Sequence, residues 1–297
     1  GPSPVRLAVL LLVPATVAVS HWLQPAQFWT PVPAADPEAF RGLAITEPVV
    51  EAQGRLLADA LAALPPPRPG RIEMYGATFA PYASQNVFLR ESGVVTKTMQ
   101  QRFDGRIVQL VTNNATSLSL PWATPSNLHR TITGIARVMD REHDVLFLHL
   151  TSHGGYDGKL ATESWPLETE PVTPQQLRAW LDEAGIRWRV LSISACYSGS
   201  WIAPLAGEGT LVMTAADAMH TSYGCGSRSP LTFFGQAMYV DALNETLSFT
   251  EAHVKARRLI DEREKAAGKT DGYSNPQISE GAGIREVLER LAAQQER

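Results

Sequence analysis

The sequence predicts an α/β protein with a doubly wound, mostly parallel sheet and helices on both faces. Two observations carry this. From Arg71 onward, short strand-like runs alternate with amphipathic helical stretches, and one run, DVLFLHLTS, is apolar almost throughout, as a parallel strand buried on both faces is.

The elements follow in order. RIEMYGATFA reads as a first strand, followed by a helix across NVFLRESGVVTKTMQQRF with Ser84 as a possible cap. RIVQLVT is a second strand, and SNLHRTITGIARVMD a helix opened by Ser126 after Pro125. DVLFLHLTS is the third strand. After an irregular segment, TPQQLRAWLDEAG gives a helix capped by Thr173 and closed at Gly185. RVLSISA is a fourth strand, SGSWIAPLA a short helix for which Ser198 and Ser200 are cap candidates, and TLVMTAA a fifth strand. Two more helices are expected near LTFFGQAMYVDAL and FTEAHVKARRLIDEREKAAG.

The sequence before Arg71 has a different texture. Gly1-Pro2 resembles the scar of a cleaved tag, and Leu7 to Val19 is an uncharged apolar run interrupted by Pro14. It is shorter than the roughly 20 residues that span a bilayer, so a trimmed membrane helix, a signal-peptide core and a buried helix all remain open. Arg6 precedes the run, no Lys or Arg follows until Arg41, and Trp22 and Trp29 lie just beyond it. That pattern favours membrane attachment, with the remainder of the chain in the periplasm or otherwise outside the cytoplasm. The expected organisation is therefore 1–23 as tag scar and membrane-proximal segment, 24–70 as a Pro-rich linker with one short helix over EAQGRLLADALAAL, and 71–297 as the main domain.

Composition narrows the function. Twenty-six Lys and Arg against 30 Asp and Glu give a net charge of -4, with no basic run to hold nucleic acid. Two cysteines, Cys196 and Cys225, exclude a disulfide-dense module and a multi-cysteine zinc site. A Cys196–Cys225 disulfide is the alternative to free thiols. His149 and His153 would stand about 13 Å apart along a strand, too far to share a metal. H-E-x-x-H, phosphate-binding glycine loops and a G-x-S-x-G elbow are all absent. His129, His143, His220 and His253 fall in helical or loop contexts and read as surface residues.

In doubly wound sheets, reactive groups collect outside the carboxyl ends of the strands. There the third strand runs into Ser152-His153-Gly154-Gly155 and the fourth into Ala195-Cys196-Tyr197-Ser198-Gly199. A histidine across the crevice can serve a thiolate nucleophile as general base and acid. Gly154 and Gly155 permit close approach of a substrate carbonyl, and the amides of Gly154 and Cys196 can donate to an oxyanion. Cys196 also lies at the start of a helix, whose dipole favours a thiolate. A lone histidine at a strand end, or a lone cysteine in an apolar strand, is ordinarily structural. Both together at matched strand ends, with glycines beside them, point to catalysis. Asp157 is a weak candidate to orient His153.

His-Gly-Gly after one strand and Ala-Cys-x-Ser-Gly-Ser after the next resemble the legumain-like family of cysteine peptidases. By fold that family goes with the caspases, and the chain resembles its bacterial members that carry an N-terminal membrane portion. The resemblance spans about Arg71 to Ile284, including SNLHRTI, DVLFLHLTSHGG, RVLSISACYSGS, TSYGCGS and NPQI. It implies a caspase-like fold, a Cys196–His153 dyad, peptide or protein substrates and no required cofactor. It also implies a primary pocket lined by an arginine near the first strand, a glutamate two before the nucleophile and an aspartate after the fifth strand. Here Ser194 stands two before the nucleophile, Ala80 to Ser84 offers no arginine, and Tyr223 to Arg228 carries a cation. Ser194, Gly155, Ser227 and Arg228 are thus the expected substrate-binding residues, and strict preference for asparagine is not expected. A transamidase or ligase of the same fold, and a catalytically silent membrane-tethered binding module, remain the alternatives.

Overall fold

The computed structural model describes residues 41–226, 229–270 and 272–296. Six strands form one sheet in the order β2-β1-β3-β4-β5-β6. They are β1 (Met74–Ala80), β2 (Arg106–Val111), β3 (Val145–Thr151), β4 (Trp188–Ser194), β5 (Thr210–Thr214) and β6 (Gln277–Glu280). The first five are parallel, while β6 pairs antiparallel with β5. Every residue of β1 and β3 is buried, as the apolar run of β3 predicts.

Six helices longer than two turns cover the sheet: α1 (Glu47–Ala62), α2 (Asn86–Phe103), α3 (Pro125–Val138), α4 (Pro174–Ala184), α5 (Phe249–Ala266) and α6 (Ala282–Gln295). Alternation along β3 divides the core. Leu146, Leu148 and Leu150 pack with Leu57 of α1, Ile132 of α3 and Leu181 of α4. Val145 and Phe147 pack with Met99 of α2, Ile260 of α5 and Val287 of α6. The expected helices on both faces are present. Strand order reverses between β1 and β3, which places the crevice typical of such folds at their carboxyl ends.

Local signals account for most boundaries. Helix α4 is capped by Thr173 as expected, in a capping box where Thr173 accepts from the Gln176 amide, and stops at Gly185 in the left-handed region (φ 66°). Helix α3 is capped by Thr124 rather than Ser126, because Pro125 suits the first helical turn and lacks only a donor that has no partner there. Ser84 does not cap α2: Gln85 holds the cap position, and the Ser84 hydroxyl goes to Glu163. Ser198 and Ser200 cap nothing either. Ser198 Oγ accepts from the Ala216 amide at 3.1 Å, and Ser200 Oγ donates to Tyr197 O at 2.8 Å.

Other expectations change more. LTFFGQAMYVDAL forms a three-residue α-turn followed by a π-helix, Gln236–Ala242, closed by Leu243 N donating to Met238 O at 2.9 Å. Its wider turn carries the Tyr239 hydroxyl to Ser192 Oγ, 2.7 Å away across the sheet face. His253, read as a surface residue, lies buried on the inner side of α5 with Phe249 and Ile260, where burial, aided by Arg257, pushes its ring down to about 4. Strand β6 and helix α6 have no counterpart in the sequence reading. The compact unit begins at Gly42, so α1, assigned from sequence to the linker, packs through Leu57 on the sheet.

The apolar run Leu7 to Val19 lies outside the described residues. Among the described residues no helix is long and apolar enough to cross a membrane.

Candidate active site

Strands β3 and β4 pair in parallel with Thr151 beside Ser194, so the chain leaves both at the same end. Ser152 N donates to Ser194 O at 3.2 Å, which keeps the two exits in step. The next residues on each side are His153-Gly154 and Ala195-Cys196. A methyl group on Gly154 would fall 2.0 Å from the carbonyl oxygen of Cys196, so only glycine fits where the two backbones meet.

The amides around this contact differ in use. Gly155 N donates to Lys159 O at 2.9 Å inside a hairpin. Among the described residues the amides of Gly154 and Cys196 donate to no protein group, so they are available to a substrate oxygen. Tyr197 adopts a left-handed conformation (φ 55°), sparsely populated by non-glycine residues, and forms the bend that turns the chain directly after Cys196. Its amide donates to His220 O at 2.9 Å.

Cys196 and Cys225 are both free thiols, so the disulfide alternative is not realised here. They are nevertheless neighbours. A hydrogen bond from Cys225, opposed by burial and aided by Ser222 and the charge of Lys269, lowers the Cys196 pKa to about 6. Ser222 Oγ lies 3.6 Å from the Cys196 sulfur. Hydrogen bonding to Cys196 and burial push Cys225 far in the other direction, so it stays a thiol and donates. Their contact thus favours the anion on Cys196 over Cys225.

His153 is half-buried between Tyr82 and Phe88, with ring centroids 4.6 and 5.2 Å away in edge-to-face contact. Burial lowers its pKa, partly offset by the negative charge of Glu163. Its Nε2 lies 2.9 Å from Gln85 Oε1. Donation from Nε2 to that amide oxygen leaves Nδ1 as the free basic nitrogen. Gln85 can do this because its side chain caps no backbone group of α2. Among the described residues His153 and Cys196 share no hydrogen bond. Each is positioned by its own partners at adjacent strand ends. Asp157 is exposed and pairs with Lys159 at 2.8 Å, so it does not orient the histidine.

Beneath the crevice lies a second polar cluster. Glu91 of α2, fully buried, accepts from His149 Nε2 at 3.0 Å, from the Thr232 hydroxyl at 2.5 Å and from Ser194. His149 Nδ1 meets Ser192 Oγ at 3.0 Å, and Tyr239 closes the network. Burial alone would raise the Glu91 pKa, but these hydrogen bonds, His149 first, hold it below its ordinary value. Gly235 leaves the room this carboxylate fills, since a methyl there would lie 2.5 Å from it.

The expected site residues thus fare differently. Cys196, His153, Gly154 and Gly155 come together at the two strand ends. Ser194, expected on the pocket wall, is 2 % exposed and faces this inner network, because the alternation of β4 points it inward. Ser227 and Arg228 lie outside the described residues. Sequence reasoning missed Gln85, Glu91, Ser222 and the role of Cys225. Glu91 did leave a signal: a carboxylate on the Val87–Phe88–Val95 stripe of α2 is a buried charge in need of partners.

The chain is similar to a solved structure described as pro-sf-caspase-1, at 13% identity and a TM-score of 0.47, over 70% of this chain and 87% of that one. No curated protein matches it. The family model described as Peptidase C13 family matches residues 124–283, more than half of the chain, including both strand ends of the candidate site. The chain belongs to the Peptidase C13 family.

Proposed function

We propose that this protein is a cysteine endopeptidase in which Cys196 attacks the scissile carbonyl and His153 moves the protons. The observation that carries the proposal is the meeting of the Gly154 and Cys196 backbones, which sets two unused amides beside a thiol lowered to about 6. In the reaction the Cys196 sulfur bonds the carbonyl carbon, and the carbonyl electron pair moves to oxygen between those amides. The proton lost by Cys196 passes through Nδ1 of His153 to the departing amine as the C–N bond breaks. Water, losing a proton to the same nitrogen, then releases the acyl group and restores the thiolate. Gln85 orients His153 throughout, and Cys225 and Ser222 stabilise the sulfur anion. Family membership supports the peptidase type of activity.

The decisive experiment is profiling of a peptide library by purified protein, with Cys196→Ala and His153→Ala as controls. Turnover is expected from the wild type alone. Near-normal turnover by either variant would refute the dyad. If an amine nucleophile captured the acyl group in preference to water, a transamidase or ligase would replace the hydrolase. Absence of both turnover and selective labelling of Cys196 by a thiol-directed peptide inhibitor would point to a silent binding module.

Two finer points belong to the same proposal. The primary pocket lacks the charged frame that grips asparagine, since Ser194 is neutral and faces inward; small, polar or acidic side chains are expected before the scissile bond, with Arg228 as a cationic partner for the last. The Arg6 and Trp22/Trp29 pattern supports membrane attachment with the catalytic part outside the cytoplasm. A reporter fused after Arg297 that gave signal only in the cytoplasm would overturn that placement.

A further inference from the structure

Three side chains form an uncovered apolar platform beside the nucleophile, one from the loop after each of β3, β4 and β5. Tyr156 is 68% exposed and Met219 62% exposed. Tyr197, half-buried, follows Cys196 directly. The rings of Tyr156 and Tyr197 meet edge to face at 5.5 Å, and the Tyr156 hydroxyl reaches Met219 Sδ at 3.8 Å.

The platform is built on rigid supports. Tyr156 sits in a tight hairpin, where Gly158 N donates to Gly155 O and Gly155 N to Lys159 O, both at 2.9 Å, and Gly158 takes a positive φ of 76°. A methyl on Gly158 would meet Ser200 Oγ at 3.2 Å, so the hairpin rests on the turn that follows Cys196. Met219 is held by Asp217, whose Oδ1 accepts its amide at 2.8 Å. His220, the next residue, accepts the Tyr197 amide through its carbonyl. Among the described residues Tyr156 touches Met219 and Tyr197, yet Tyr156 and Met219 both stay exposed, in constrained loops, and so bear the cost of apolar surface in water. Tyr197 is bonded directly to Cys196, so the platform begins one residue from the nucleophile.

We infer that the platform of Tyr156, Tyr197 and Met219 is a substrate subsite, separate from the primary pocket, that selects a bulky apolar side chain within two residues of the scissile bond. The inference rests on the peptidase reading and deepens it. Aromatic rings and a thioether offer a wide, polarisable contact suited to Phe, Leu or Met. A half-covered side chain of that size is worth about tenfold in kcat/KM over alanine.

The test uses internally quenched peptides in which Phe, Leu, Ala and Asp are placed in turn at the two positions on each side of the cleaved bond. Wild-type protein is expected to prefer Phe and Leu over Ala about tenfold at one of these positions. Tyr156→Ala and Met219→Ala should each shrink that ratio, and the double variant should bring it near one, while Tyr156→Phe should keep it. Alkylation of Cys196 by iodoacetamide, measured in every variant, reports an intact crevice. Cleavage by wild type without apolar preference at any of the four positions would overturn this inference and leave the peptidase reading standing. Absence of any cleavage would bring both down together. A ratio that survived in a double variant with normal Cys196 alkylation would place the subsite elsewhere and overturn the assignment.

Discussion

Strand β3 and the segment just past its end carry two histidines four positions apart in sequence, and they live in opposite environments. His149 lies inside the sheet, sealed against the Glu91 carboxylate, Ser192 and the ring of Tyr239. His153 lies just past the strand end, held by one neutral amide and two aromatic edges, with a free ring nitrogen. The first has every polar atom engaged, which is what a structural group requires. The second keeps one atom unengaged, which is what proton transfer requires. The proposed chemistry at this strand end would therefore depend on weaker positioning, and stability beneath it on stronger pairing.

Substitutions can break or sharpen that contrast. Gly154→Ala should have the largest effect, because its methyl would collide with the Cys196 carbonyl and separate the two strand ends. Peptidase turnover is expected to fall about 1000-fold or more, read as kcat/KM beside a thermal melt. Glu91→Ala should act on stability instead. It removes the partner of a buried histidine and two hydroxyls, at a cost of about 3–5 kcal/mol in denaturant unfolding. Acid should mimic it. Because the folded Glu91 carboxyl is held below its ordinary value, its contribution is present above the unfolded pKa and is lost as pH falls through the folded one. Unfolding curves from pH 6 downward would show the loss, and Glu91→Gln should flatten it.

Gln85→Ala should lower kcat/KM about tenfold with little change in melting temperature, since His153 keeps its packing but loses its tautomer-setting partner. An equal loss of stability would mean that Gln85 is merely structural. The smallest effect is expected at Cys225. The rate of Cys196 alkylation should rise with pH through about 6 in the wild type. In Cys225→Ala the midpoint should move upward, because the strongest stabilising hydrogen bond to the sulfur is gone. Cys225→Ser keeps a donor and should fall between the two.

The outer shell of this architecture was legible because it rests on local rules. The apolar run of β3, the Thr173 cap and Gly185 stop, and the glycine flanking His153 all reflect near-neighbour sterics and hydrogen bonding that a sequence displays directly. What stayed hidden depends on distant residues meeting. Gln85 reaches His153 from the loop after β1, and Cys225 reaches Cys196 from the loop after β5. Neither has a periodicity or a spacing that announces it. Ser194 was placed correctly along the chain and wrongly in space, since one step of strand alternation decides between pocket and interior. Strand β6 was missed because four residues between Pro276 and Gly281 are too few to display a pattern.

The close fit of Gly154 against Cys196 also has a meaning for how the chain folds. Cys196 and Gly154 arrive on parallel strands whose junctions lie roughly 40 residues apart, joined by the long crossover through α4. Such non-local pairing forms only after that loop has closed, which is intrinsically slower than forming any single helix of the molecule. Under the proposed mechanism, a nascent or locally opened chain would display the Cys196 thiol without its partners, and the complete site would form only with the β3–β4 pair.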